Sequence, residues 1–242
     1  RAKEVLISSG SIERPIVFGN NDTPGVMLSS AAKEYLKVYG VLVGRNPLIF
    51  TNNDSGYETA IEFKKNGVNP IILDTRKDPQ SEIVDEAKNL GINIKFSYVV
   101  VAARGYKKVK SADIAKISDD KEQLGVIENI KCDCICVSGF WTPTIHLASQ
   151  SGNKTKFNEN IDAFVPGISK QNETTLGAAN GSYTLEETLK SSFETGHELS
   201  KKITNNNNEI SFPNVVEKKS TKHDKFWCVP LPEGKNYKRF LD

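Results

Sequence analysis

The segment Thr51-Asn-Asn-Asp-Ser-Gly56 stands where a dinucleotide-binding chain makes its phosphate turn. It follows the apolar run Pro47–Phe50 and opens a helix-forming stretch, which is the setting a G-x-G-x-x-G turn requires. The three glycine positions read Thr51, Asn53 and Gly56. Gly56 keeps the position that permits close helix–strand packing. Asn53 puts a Cβ where the backbone must approach a pyrophosphate, and Asp54 sets a negative charge at a helix start that otherwise attracts phosphate. Asp74 closes the next apolar run about 20 residues on, the place of a ribose-binding acid. Together these residues describe a nucleotide-binding unit whose site is lost or altered, with a repurposed site as the alternative.

Two small-residue loops carry the other binding chemistry. Ser8-Ser-Gly-Ser-Ile-Glu-Arg-Pro15 follows a strand-like run and suits close backbone contact with a ligand. Gly177-Ala-Ala-Asn-Gly181 precedes a capped helix, whose first N–H groups could face a phosphate. No catalytic set is readable: His146, His197 and His223 are scattered, and no Ser/His/Asp or Cys/His spacing occurs. Glu186-Glu187 reads as favourable charge in a first helical turn. Cys132-Asp-Cys-Ile-Cys136 places three thiols on one face of a strand, which predicts small buried packing groups. Zinc would need a second half-site that the spacing lacks, so no metal is expected. Four cysteines without a paired framework predict a cytoplasmic protein.

The elements that position these loops alternate between strand and helix. Val5–Ser8 reads as a strand. Thr23-Pro24-Gly25 reads as a helix start, with Thr23 as N-cap and Pro24 in the first turn, and the helix ends at Gly40. Pro47–Phe50, a helix from Tyr57 to Asn66 and a strand over 68–74 form a βαβ unit, hence a parallel pair. A helix from Ser81 to Leu90 and strands near Ile92–Phe96, Tyr98–Ala103, a solvated Lys107–Ile117 and Lys131–Ser138 follow. Thr184 with Glu187 makes a capping box for a helix reaching about His197. The run Asn205–Asn208 reads as a linker.

The chain has 242 residues, 32 Lys+Arg against 30 Asp+Glu and a net charge of +2, which excludes a default electrostatic nucleic-acid binder. No apolar run reaches membrane-span length, so no membrane partner is expected. The absence of an initiator Met and an interrupted C-terminal amphipathic stretch predict an internal segment of a longer polypeptide.

Longer words carry a resemblance. Ser11-Ile-Glu-Arg-Pro-Ile-Val-Phe18, Asn21-Asp-Thr-Pro-Gly-Val-Met27, Tyr35-Leu-Lys-Val-Tyr-Gly40, Phe50-Thr-Asn-Asn-Asp-Ser55, Val137-Ser-Gly-Phe-Trp-Thr-Pro143, His146-Leu-Ala-Ser-Gln150, Ala163-Phe-Val-Pro-Gly167 and Gly177-Ala-Ala-Asn-Gly181 resemble the α subunit of heterotetrameric sarcosine oxidases. The resemblance implies an α/β fold in which a Rossmann-like three-layer dinucleotide-binding domain is interrupted by a second one, as in flavoprotein disulfide reductases. The first domain takes residues 1–44 and 140–204 and lacks its upstream part. An NAD-binding-like domain is inserted at 45–139, and 205–242 forms a linker and the start of the next domain.

It further implies NAD bound noncovalently by this subunit, and FAD and FMN in the complex through the partner subunit. The implied partners are β, γ and δ subunits, and tetrahydrofolate through a downstream region. Sarcosine oxidation takes place on the β-subunit flavin, so this segment supplies no catalytic residue. The cofactor contacts carried over are Ser9, Gly10, Gly177, Ala178 and Thr184. Flavin-binding relatives place an Asp where this chain has Ala178, which fits NAD rather than FAD. The family's Ser-Gly-Gly-Trp is Ser138-Gly-Phe-Trp141 here, so Phe140 falls where a glycine-specific backbone angle would be costly. Two other readings stand beside this one. One is an electron-transfer subunit of an amino-acid or opine dehydrogenase complex using NAD(P)H or FAD; the other is a non-catalytic assembly module.

Overall fold

A computed structural model of the chain describes residues 2–204, 211–212, 214–215 and 222–240. In chain order the elements begin β1 (Val5–Ile7), β2 (Ser11–Glu13), β3 (Val26–Leu28), α1 (Ser29–Tyr39), β4 (Pro47–Thr51), α2 (Ser55–Lys65), β5 (Ile71–Asp74) and α3 (Glu82–Asn89). There follow β6 (Asn93–Phe96), β7 (Tyr98–Gly105), β8 (Val109–Lys116), β9 (Glu128–Lys131) and β10 (Cys134–Ser138). The remainder is β11 (Trp141–Pro143), α4 (His146–Gln150), β12 (Thr155–Asn158), β13 (Ala163–Pro166), β14 (Glu173–Thr175), a 3-10 turn Gly177–Asn180 and α5 (Leu185–Thr204). The Asn205–Asn208 tract lies outside the described residues.

The chain divides into two compact units, residues 1–12 with 141–217 and residues 13–140 with 218–242. Residues 13–44, grouped by sequence with the first domain, thus lie in the second unit, because β3 pairs with β10. The described part of 218–242 lies there too.

In the second unit five parallel strands run in the order β3-β10-β4-β5-β6. Alternation along the strands sends successive side chains to opposite faces. Ile49, Ile72, Cys134 and Cys136 pack with Ala32 of α1, Tyr57, Ala60 and Phe63 of α2, and Val84 and Ala87 of α3. Leu48, Phe50, Leu73, Ile135 and Val137 pack instead with Val99, Val100, Ala112 and Ile114. These last four belong to an antiparallel sheet β7-β8-β9. The result is three layers, helices over parallel sheet over antiparallel sheet.

Several sequence expectations change here. The stretch Val26–Leu28 is a strand, not the first turn of a helix; the helix starts at Ser29, and Thr23 Oγ1 donates to Asn20 O instead of capping. Pairing with Ile135–Val137 overrides the helical spacing. The strand β8 is mostly buried rather than solvated, because it is the centre of its sheet. All three thiols are buried, yet they do not share a face: the strand begins only at Cys134, and Cys132 packs on the opposite side from Cys134 and Cys136. The α5 helix runs to Thr204, beyond the expected His197.

In the first unit β1 pairs parallel with β14 and β12 antiparallel with β13. The long helix α5 is amphipathic and has no buried residue.

Candidate dinucleotide-binding site

The two small-residue loops of the first unit leave one parallel ladder at the same end. Ile7 stands opposite Thr175, and Leu176 N donates to Ile7 O at 2.8 Å, so Ser8–Gly10 and Gly177–Ala178 follow directly from paired strands. Gly10 has φ +75°, and a Cβ built on it meets nothing within 4 Å. Its carbonyl accepts from Thr144 N at 2.9 Å, and Ser9 Oγ donates to Thr144 O at 2.7 Å. The first loop is therefore fixed to the segment after β11 while leaving open space beside Gly10.

Gly177 has φ +62° and starts the 3-10 turn; a Cβ there would meet Thr188 Cγ2 at 3.3 Å. Ala178 is half-buried and can offer only its backbone to a ligand. Thr184 Oγ1 accepts from Glu187 N at 3.1 Å, as the capping reading expects. The hydroxyls of Ser9 and Thr184 thus both serve internal bonds. The position the sequence missed is Thr175, the last residue of β14: it is buried, and its Oγ1 has no hydrogen-bond partner among the described residues. A three-residue strand leaves too short a pattern to reveal it.

A glycine with free space beside it, a second glycine opening a turn and an orphaned buried hydroxyl nearby fit a dinucleotide. Gly10 and Gly177 would let a pyrophosphate approach the backbone, while Glu186 and Glu187 in the first turn of α5 offset the dipole charge that its first N–H groups would offer.

The second unit has the corresponding crevice at the C-terminal ends of β10, β4 and β5, where the strand order changes direction. Its polar groups are paired internally. Asn53 Nδ2 donates to Ser138 O at 3.0 Å and to Asn52 Oδ1 at 2.8 Å, and Asn53 Oδ1 accepts from Ser55 N at 2.8 Å. Asp74 is fully buried and receives Arg76 Nη2 and Tyr57 Oη, at 2.8 and 2.7 Å. Arg76 Nη1 also reaches Asp54 Oδ1 at 2.8 Å. Burial, then the Asp74 charge, pushes the Tyr57 hydroxyl well up from its ordinary range. Burial works against the Arg76 charge, but Asp74 and Asp54 outweigh it and hold the guanidinium protonated. Burial pushes the Cys132 thiol up to about 12, and Cys136 is raised by its contact with Cys134 and by burial, so neither is a thiolate nucleophile. Among the described residues no group of three His, Cys, Asp or Glu could hold a metal ion.

This is the α/β dinucleotide-binding fold of the flavoprotein disulfide reductases. Thioredoxin reductase of T. acidophilum superposes with a TM-score of 0.60 at 16% identity, over 78% of this chain and 61% of that one. Bacillithiol disulfide reductase from Staphylococcus aureus gives 0.59 at 16%, over 82% and 62%. By sequence, the chain is homologous to a part of sarcosine oxidase subunit alpha. It is 34% identical to that of Corynebacterium sp. (strain P-1) over 183 residues, 75% of this chain and 19% of the relative. Against that of Rhizobium meliloti (strain 1021) it is 36% identical over 180 residues, 74% and 17% respectively. The chain thus spans about a fifth of the length of the curated relatives it matches. No family model matches.

Among the described residues no helix is long and apolar enough to cross a membrane.

Proposed function

We propose that this chain is part of the α subunit of a heterotetrameric sarcosine oxidase and that its first unit holds NAD. The observation that carries the reading is the convergence of homology to subunit alpha with two glycine loops leaving one parallel ladder. In the proposal Gly10, Gly177 and Ala178 contact the dinucleotide through their backbones. Ser9 and Thr184 act by holding the first loop and the helix start in place. NAD, when bound, supplies a nicotinamide able to exchange hydride; the residues described bind and orient it and contribute no proton donor or acceptor to a reaction. Oxidative demethylation of sarcosine belongs to flavin on the β subunit, with FAD and FMN in the complex. Tetrahydrofolate accepts the one-carbon unit in a region outside this segment, and γ and δ subunits complete the assembly in the cytoplasm.

Ala178 favours NAD over FAD, since its methyl side chain cannot hydrogen-bond a ribityl hydroxyl. The test is to purify the complete subunit with its partners, release noncovalent nucleotides by heat and quantify them by mass spectrometry. About one NAD per α subunit is expected for a single saturated site. FAD assigned to α would overturn the cofactor and favour the electron-transfer reading. No nucleotide at all would leave an assembly module.

A further inference from the structure

Residues 223–229 lie across the strand ends at which a nucleotide would bind in the second unit. Asp224 N donates to Asn52 O at 2.8 Å, and Asn52 Nδ2 returns bonds to Asp224 O at 2.9 Å and Phe226 O at 3.1 Å. Asn52 is itself fully buried and follows the last residue of β4. Beyond β5, Thr75 Oγ1 donates to Asp224 Oδ2 at 2.8 Å, and Lys121 Nζ lies 3.0 Å from the same oxygen. Beyond β10, Trp227 Nε1 donates to Gly139 O at 2.8 Å, and the His223 ring stacks on Phe140 at 4.0 Å between centroids. Phe226 and Val229 are buried in the core cluster on the antiparallel-sheet side. One short segment therefore closes over the C-terminal ends of three adjacent parallel strands, at the switch point where ligands of such sheets bind.

We propose that His223–Val229 is a permanent internal occupant of the second unit's nucleotide crevice, with the Asp224 carboxylate seated as the anion between Thr75 and Lys121. Three independent features agree. The segment is bonded to all three strand ends, the acid in the ribose position is consumed by Arg76 and Tyr57, and Asn53 fills the position at which a pyrophosphate must approach the backbone. The consequence is that NAD(P)H cannot deliver electrons through this unit as it could through an open dinucleotide domain, and any nucleotide the chain holds lies elsewhere. This inference does not depend on what the first unit binds.

The test is hydrogen–deuterium exchange on the complete protein with its partners, with NAD+ or NADP+ as the probe at roughly 1 mM, a concentration that would populate even weak sites. The amides of Asp224 and Val229 should be protected by at least about tenfold over an unstructured chain, and neither nucleotide should change exchange at 51–56, 74–76 or 222–229. Asp224→Ala should speed exchange across 222–229 by about tenfold or more while β4 stays protected. A nucleotide-dependent change at 51–56 or 74–76 in the unsubstituted protein would overturn the proposal. So would a 222–229 segment that exchanges like free peptide, or an Asp224→Ala variant whose segment stays as protected as before. Because the readout is confined to these peptides, failure of NAD binding in the first unit would be seen separately.

Discussion

A Cβ placed on Gly56 would lie 2.6 Å from the Cβ of Thr51, closer than two carbon atoms can pack. The first turn of α2 is therefore pressed against the end of β4 with no room for a methyl group. This is the one part of the glycine fingerprint that the chain has kept, and its role is packing, independent of any nucleotide.

Gly56→Ala is accordingly expected to destabilise the second unit by about 1–3 kcal/mol, the usual cost of overpacking a tight core site. Alanine's better helix propensity recovers only part of this. Urea unfolding checks it; a variant as stable as the parent would mean that Thr51 can move aside.

How much of this was legible in the sequence depends on the range of the interaction. Helix ends at Gly40 and Gly91 follow from local chemistry, and the parallel pair β4–β5 follows from the βαβ pattern. Phe140 could be singled out as costly, and it does adopt φ +76°, held in place by its stack on His223. What could not be read depends on partners far along the chain. Val26–Leu28 is a strand only because β10 lies beside it, and Asn52 finds its partners at Asp224 and Phe226. In the first unit, the glycine loops were visible as words, but the orphaned Thr175 hydroxyl between them was not.

Asp74 and Arg76 form a buried pair in which each is costly without the other. Asp74 is wholly inaccessible, and Arg76 supplies most of its compensation. Arg76→Met is expected to destabilise the protein by about 3–5 kcal/mol, because it strands a buried charge. The double variant Arg76→Met with Asp74→Asn should recover a substantial part of that loss. A thermodynamic cycle from urea denaturation reads the coupling; strictly additive losses would show that Tyr57 and water suffice for Asp74.

Glu13 offers a pH test. Its Oε2 accepts from Ser30 N at 2.7 Å in the first turn of α1, and burial raises its pKa against weaker pulls from Ser138, Ser30 and Lys33. Cys136 also lies near enough to feel its charge. A carboxyl whose folded pKa exceeds its unfolded value binds its proton more tightly in the folded state. Its contribution is complete below about pH 4.3, the ordinary glutamate value, and is lost as pH rises through the folded pKa. Glu13→Gln keeps an acceptor for Ser30 and removes the titration. Its melting temperature relative to the parent should therefore rise from acid toward neutral pH. A difference that stays constant with pH would place Glu13 in a more solvated setting.

The first unit makes the sharpest separation between folding and binding. At Gly10 nothing beyond its chain neighbours lies within 4 Å of a built Cβ, so the first side-chain carbon there adds only backbone strain at φ +75°. That strain costs about 1–2 kcal/mol for an ordinary residue and more for a β-branched one. Gly10→Val should thus leave a folded protein that assembles normally, yet the valine would project into the space assigned to the dinucleotide. Nucleotide content of the purified complex is expected to fall by at least about tenfold, equivalent to roughly 1.4 kcal/mol of lost binding. Under the proposed function, oxidation on the flavin subunit should persist in part. Gly177→Ala tests the same site less cleanly, since its Cβ meets Thr188 within the protein. If Gly10→Val retained its full complement of NAD, the open space beside Gly10 would be solvent, and the first loop would have no part in holding the cofactor.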